Sequence, residues 1–207
     1  MPQDCGIFIL MKRTCCYLLG ILILIVSIAA CQSKTYSTPH VLIDTEYGEI
    51  IVEIYADKAP KTAEAFLKNV DKKVYNKASF YRVLKDESLT EQYNTGLIQG
   101  GVFNTDTTEA GSPFIPHESP KQTGLSHTSG TISMARTAPG TARTEFFICI
   151  GDQTQFDSSL RTNPDGLGYA AFGKVVEGMP VVRKIQAQKN VADKIRFPVI
   201  IKKISRL

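Results

Sequence analysis

Tryptophan is absent from the sequence, and histidine occurs only three times. His40, His117 and His127 lie far apart, and none has the cysteine or carboxylate spacing that would hold zinc. A metal site is therefore not expected. The stretch TISMARTAPGTARTEFFICIGD, residues 131–152, contains no Ser-His pair, no P-loop and no metal-ligand pattern. Charge of either sign is nearly balanced, with 24 Lys and Arg against 20 Asp and Glu. Removing residues 1–30 takes away Asp4, Lys12 and Arg13 and moves the formal charge from +4 to +3. A surplus this small does not point to nucleic acid. No internal repeat or low-complexity block is present.

Long apolar runs are equally scarce. The one that exists lies in MKRTCCYLLGILILIVSIAAC, residues 11–31: two basic residues, an uncharged run from Tyr17 to Ala30, then small residues before a cysteine. That layout predicts a signal peptide over 1–30, and the run is short for a transmembrane helix. IAAC at 28–31 resembles the bacterial lipobox, which makes Cys31 the expected lipidation site and first mature residue. An uncleaved N-terminal anchor is the alternative. Because MKR itself begins like a signal, either Met1 or Met11 is the start, and residues 1–10 are then an upstream artefact in the second case.

Of the five cysteines at 5, 15, 16, 31 and 149, processing leaves Cys31 and Cys149. Lipidation of Cys31 leaves Cys149 alone, so no intramolecular disulfide is expected and Cys149 reads as a small buried hydrophobe. The polar, Pro-terminated segment 31–39 reads as a flexible tether to one domain over 40–207.

Within that domain VLIDTEYGEIIVEIY, residues 41–55, alternates apolar and polar residues on both sides of a turn at Gly48, predicting a β-hairpin. Behind Pro60, residues 59–73 place Ala63, Phe66, Leu67 and Val70 at helical spacing. Short strands are predicted at 79–84, 96–103, 131–136, 146–150 and 169–176, then a helix near 179–188 and a last strand at 198–204. A mainly β chain with two helices favours a barrel or sandwich capped at its ends. Periodicity alone goes no further.

The ordered set SFYRV, LIQGG, GTISMAR, EFFICIGD and YAAFGKVVEGM resembles the cyclophilin-type peptidyl-prolyl isomerases. The resemblance covers nearly all of residues 41–207. It implies a closed eight-stranded antiparallel β-barrel capped by two α-helices, a groove on its outer face, and isomerisation of X-Pro bonds without nucleophile, metal or cofactor. Carried over residue by residue, it implies that Arg82 acts on the prolyl imide, that Gln99 anchors substrate, and that Phe147 is the base of a proline socket. Strand alternation sends one of Phe146 and Phe147 inward and the other outward; the motif assigns the outward place to Phe147. Leu97 stands where the family usually has methionine. Ala135 and Thr137 line the groove, where an extended peptide would bond to the edge of MARTA, and Tyr169 takes a place often held by histidine. His127 stands where relatives also carry histidine, which implies a structural role.

Four departures stand out. Glu145 replaces the usual glutamine; paired with Arg82 it would either orient the guanidinium or compete with substrate for it, and the working expectation is that it sequesters Arg82 in part and lowers turnover. Arg136 replaces an asparagine, adding a cation beside the groove that is either a solvated surface arginine or one that would favour acidic residues before the proline. The 85–96 insert is long and acidic, leaving Gly96 where an aromatic is usual and Tyr93 as its stand-in. Gln155 and Phe156 occupy the region where cyclosporin-sensitive relatives have tryptophan, so weak cyclosporin binding is expected.

The reading that follows is a monomeric isomerase, lipid-anchored at Cys31 on the periplasmic side of an outer membrane, that assists folding of exported proteins by acting on Pro-containing segments. Gln32 is not the aspartate associated with inner-membrane retention. The rivals are a weakly catalytic binding or chaperone module on the same fold, and a purely structural lipoprotein.

Overall fold

The computed structural model describes residues 36–91, 93–103, 112–158 and 164–207. The expected signal peptide, Cys31 and most of the tether lie outside the described residues. Strands β1 (His40–Thr45) and β2 (Gly48–Ile54) form the expected hairpin, pairing Thr45 with Gly48. Gly48 at φ 131° takes the turn conformation that side chains rarely adopt, and Thr45 Oγ1 closes the turn by donating to the Gly48 carbonyl at 2.7 Å. The alternation places Val41, Ile43, Ile50, Val52 and Ile54 in the core.

Helix α1 (Pro60–Asp71) buries Ala63, Phe66, Leu67 and Val70, the stripe read from the spacing. Its N-cap residue, Ala59, has no side chain that can cap. The Glu118 carboxylate does so instead, accepting from the amides of Lys61 (3.2 Å) and Thr62 (2.8 Å) and from the Thr62 hydroxyl (2.7 Å).

The remaining elements are β3 (Ser79–Lys85), β4 (Gly96–Gly101), a single turn α2 (Pro120–Thr123), β5 (Thr131–Met134), β6 (Phe146–Ile150), a 3-10 turn at Thr154–Phe156, β7 (Ala170–Glu177), α3 (Met179–Gln186), β8 (Asn190–Val191) and β9 (Lys194–Arg206). All pairings are antiparallel, in the order β1-β2-β7-β5-β6-β4-β3-β9, and β9 returns to β1. This is a closed eight-stranded barrel; β8 pairs only with β9.

The two longer helices close opposite ends. Phe66 of α1 packs on Phe146 and Phe172 (ring centroids 5.8 and 4.9 Å), at the end where β6 begins. Gln186 of α3 donates to the carbonyls of Leu84 (2.9 Å) and Thr95 (3.1 Å), at the end where β4 begins. Because β4 and β6 are antiparallel and Gly96 faces Ile150, these ends are opposite.

The last strand is longer than the 198–204 expected. A tight β8–β9 hairpin starts it at Lys194, and Pro198, which has no ladder N–H, falls at the irregularity in the β3–β9 pairing. Among the described residues no helix is long and apolar enough to cross a membrane.

Candidate active site

Cross-strand register builds the site. Arg82 on β3 pairs with Gln99 on β4, and Gln99 with Phe147 on β6, so the three form one row on the outer face. Phe146, one residue away, lies in the main core against Phe66, Tyr75 and Phe80, as alternation required. The row opens onto a groove of about 1040 Å³, lined also by Leu97, Ala135, Arg136, Thr137, Glu145, Phe156 and Tyr169. Every candidate residue outside the N-terminal segment thus lies in one place.

The groove floor is an apolar cluster separate from the barrel core: Leu97, Phe147, Cys149 and Phe156 are buried, with Leu84, Ala135 and Tyr169 against them. Phe147, Phe156 and Tyr169 meet edge to face, with centroids 5.3 to 5.6 Å apart. Such contacts fix ring orientation as well as burying area. Cys149 is fully buried and burial pushes its thiol up to about 12, so it is packing and no nucleophile. Phe156 helps wall the groove.

Behind the groove floor lies His127, to which the resemblance gave a structural role; its partners Asp157 and Ser133 were not announced by the sequence. His127, fully buried, stacks on Phe147 (5.8 Å, 14°), with Nδ1 2.6 Å from Asp157 Oδ1 and Nε2 3.0 Å from Ser133 Oγ. Burial lowers the imidazole pKa, with Asp157 opposing, so the ring is neutral at neutral pH. Ser133 is also fully buried, so Asp157 and Ser133 hold the His127 ring from either side and His127 braces Phe147 from within the fold.

The polar wall differs from the expectation for Glu145. Arg82 Nε donates to Asp193 Oδ2 at 2.6 Å and NH1 to Gln99 Oε1 at 2.9 Å. Glu145 instead accepts from the Tyr81 hydroxyl at 2.5 Å and from the amides of Val102 (2.8 Å) and Phe103 (3.1 Å). Between described residues there is no Glu145–Arg82 contact, because the backbone turn after Gly101 claims the carboxylate. Arg82 holds the Asp193 carboxyl below its usual range by the same hydrogen bond.

Arg136 is a second correction. Its side chain is only 2% exposed. The guanidinium donates twice to Asp165 (2.9 Å each) and twice to the Gly168 carbonyl (3.1 and 2.6 Å), and it lies 5.3 Å from the Tyr169 ring centroid. It therefore buttresses Tyr169 and is not a free cation for acidic substrates. Asp165 is pushed down to about 2, first by its bond to Arg136. A carboxyl depressed in the folded state stabilises above its unfolded value, near 3.8, and loses that contribution as pH falls toward about 2. The gap in urea midpoint between the parent and Asp165→Asn is accordingly expected to be constant from pH 7 to 5 and to close below pH 4.

The edge after β5 is also narrower than expected. The Ala135 amide donates to the Glu145 carbonyl (2.8 Å) and the Thr137 amide to Thr141 Oγ1 (3.2 Å), so neither amide is open to a peptide. Tyr93 is 68% exposed and outside the groove, so it does not replace the missing aromatic. The insert is drawn toward α3, where Arg183 donates to the Asn94 carbonyl at 3.1 Å. Aromatics at the far end are instead Phe103, 5.6 Å from Tyr81, and Phe114, 3.9 Å from the Arg143 guanidinium. Asp193 was missed altogether: it sits in a polar turn with no motif around it. Tyr81 could have been found, since it directly precedes Arg82. Among the described residues no cluster of His, Cys, Asp or Glu could hold a metal ion.

A filled, closed barrel with its groove outside is the cyclophilin fold. A Cryptosporidium parvum cyclophilin type peptidyl-prolyl cis-trans isomerase aligns with TM-score 0.65 at 23% identity, covering 82% of this chain and 97% of its own. The same C. parvum protein in the presence of the dipeptide Ala-Pro aligns with TM-score 0.63 at 23% identity, covering 80% of this chain and 97% of its own. The model of the family described as cyclophilin type peptidyl-prolyl cis-trans isomerase/CLD matches residues 40–206. A peptidyl-prolyl cis-trans isomerase of Acinetobacter baylyi is 36% identical over 177 residues, 85% of this chain and 82% of its own. Peptidyl-prolyl cis-trans isomerase B of Escherichia coli is 35% identical over 147 residues, 70% and 83% of the two chains. The chain belongs to this family and is a cyclophilin-type peptidyl-prolyl cis-trans isomerase.

Proposed function

We propose that the groove isomerises X-Pro bonds in exported polypeptides, with Arg82 acting on the imide and Leu97, Phe147 and Phe156 gripping the proline ring. The observation that carries this reading is the row Arg82–Gln99–Phe147, which sets a cation at the rim of an apolar socket. An X-Pro bond is held by amide resonance behind a barrier of ~18–20 kcal/mol. Twisting it localises the lone pair on the prolyl nitrogen, and a guanidinium donor stabilises that twisted state more than either planar one. Gln99 anchors the flanking backbone, while Tyr169, held by Arg136, offers a hydroxyl to a substrate carbonyl. Ala135 and Thr137 keep that flank low enough for an extended chain to lie down. Glu145 serves the site from behind Tyr81 and does not touch substrate. An Ala-Pro dipeptide accompanies the C. parvum relative, which supports a Pro-containing ligand for this groove.

The domain acts as a monomer without a cofactor, tethered by a lipid at Cys31 to the periplasmic side of the outer membrane. The signal-like segment before Cys31 supports this placement. A labelled fatty acid supplied to growing cells is expected to enter the protein, and Cys31→Ser to abolish the label and release the protein from the membrane fraction. Label retained in Cys31→Ser would contradict the anchor. Separation of Glu145 from Arg82 removes one support of the weakly catalytic binding module.

A further inference from the structure

We infer that Asp193 and Glu145 are positioning residues for Arg82, Asp193 by direct contact and Glu145 through Tyr81 and Gln99, together leaving the NH2 end of the guanidinium to the substrate. This rests on the reading of Arg82 as the residue that acts on the imide.

The argument is one of hydrogen-bond polarity. A carboxylate only accepts, so the Tyr81 hydroxyl must donate to Glu145 (2.5 Å). Burial, with the Glu145 charge next, raises the phenol far above its usual pKa, so that proton is kept. The phenol oxygen then has only lone pairs to offer, and Gln99 must turn its amide nitrogen toward it (2.9 Å). That leaves the Gln99 carbonyl oxygen facing Arg82 NH1 (2.9 Å). With a glutamine at 145 only the guanidinium sets the direction: a reversed arrangement becomes available in which the amide donates to Tyr81, the phenol donates to Gln99, and Gln99 turns its NH2 to a guanidinium that has nothing but donors, losing that bond. The glutamate that departs from the family's usual residue thus fixes the string from its far end, in the same direction that the donor-only guanidinium imposes from the other, and removes the competing arrangement.

Glu145 is itself held fast. The Val102 and Phe103 amides reach Oε1, and Gly101, at φ 151°, lets the carboxylate lie where any side chain at 101 would collide with it. At the other anchor, Asp193 is fixed to the strand that carries Arg82, since its carbonyl accepts from the Val83 amide at 2.8 Å. Lys85 ties the same hairpin down through Asn190 Oδ1 (2.9 Å) and the Gln188 carbonyl (3.1 Å). With Nε on Asp193 and NH1 on Gln99, both sides of the guanidinium are pinned. Among the described residues NH2 has no hydrogen-bond partner.

The test is a double-mutant cycle on the full protein, with kcat and KM measured on one X-Pro peptide. Tyr81→Phe cuts the string while keeping the ring stacked near Phe103, and Asp193→Asn removes the charge while keeping an acceptor. Each is expected to lower kcat about tenfold with KM changed less than about twofold, and to have no effect on the residual rate of Arg82→Ala. Glu145→Gln is expected to lower kcat several-fold, opposite in sign to relief of a sequestered arginine. In nitrogen-15 spectra, Tyr81→Phe should speed rotation of the Arg82 guanidinium. Unchanged kcat in the single variants, equal losses in the Arg82→Ala background, or a rise with Glu145→Gln would each overturn the inference. Full activity of Arg82→Ala itself would instead overturn the reading of Arg82, and the inference with it.

Discussion

Arg82→Ala is expected to lower kcat/KM for X-Pro isomerisation by about 10²- to 10³-fold, the loss found when a donor aimed at developing charge is removed. Stability should hardly move. Arg82 and Asp193 are 37% and 36% exposed, and ion pairs this open to water contribute about 0–1 kcal/mol. The two readouts therefore separate: steady-state kinetics report a large effect, and the urea midpoint stays close to that of the parent. Arg82→Lys keeps the charge but has no second branch with which to hold Gln99 and reach substrate together. Its rate is expected to lie closer to that of the alanine variant than to the parent.

Phe147→Ala is expected to damage both fold and function. The ring is 3% exposed, packed on Phe156 and Tyr169 on one side and stacked on His127 on the other. Removing it leaves a void that a row in the middle of a closed sheet cannot collapse to fill, at a cost of about 3–5 kcal/mol. The same void takes away the proposed base of the proline socket, so KM for the peptide should rise steeply even at temperatures where the variant is folded. Phe147→Leu fills part of the volume and should recover most of the stability without the edge-to-face contacts that orient Phe156 and Tyr169. Denaturant unfolding and peptide titration of the two variants check this directly.

These expectations show where sequence reasoning reached and where it stopped. The β1–β2 hairpin and α1 were legible because each has a local period, two in one and 3.6 in the other, that a few residues establish. Barrel closure was not, since β1 pairs with β9 across most of the chain and no local period carries that register. It came from the family resemblance. The groove residues were legible as motif positions, and alternation alone was enough to separate Phe146 from Phe147. What failed was electrostatic partnership. Asp193 meets Arg82 from 111 residues away, and Arg136 is neutralised by Asp165 and by a backbone carbonyl at Gly168. A carbonyl leaves no mark on a sequence, so an arginine in a motif reads as a solvent-facing cation until the fold shows what lies beside it. Glu145 was misread for the same reason: its partners include two amides and a phenol brought together by the turn after Gly101.

Arg82, held at the rim of the apolar groove floor, is the group proposed to drive X-Pro exchange. Cis–trans exchange of a short X-Pro peptide, followed by NMR with a catalytic amount of the parent protein or of Arg82→Ala, tests it most directly. With the parent, exchange is expected to be far faster than the uncatalysed time of roughly tens to hundreds of seconds, and with the variant close to that time. Equal acceleration by both proteins would contradict it.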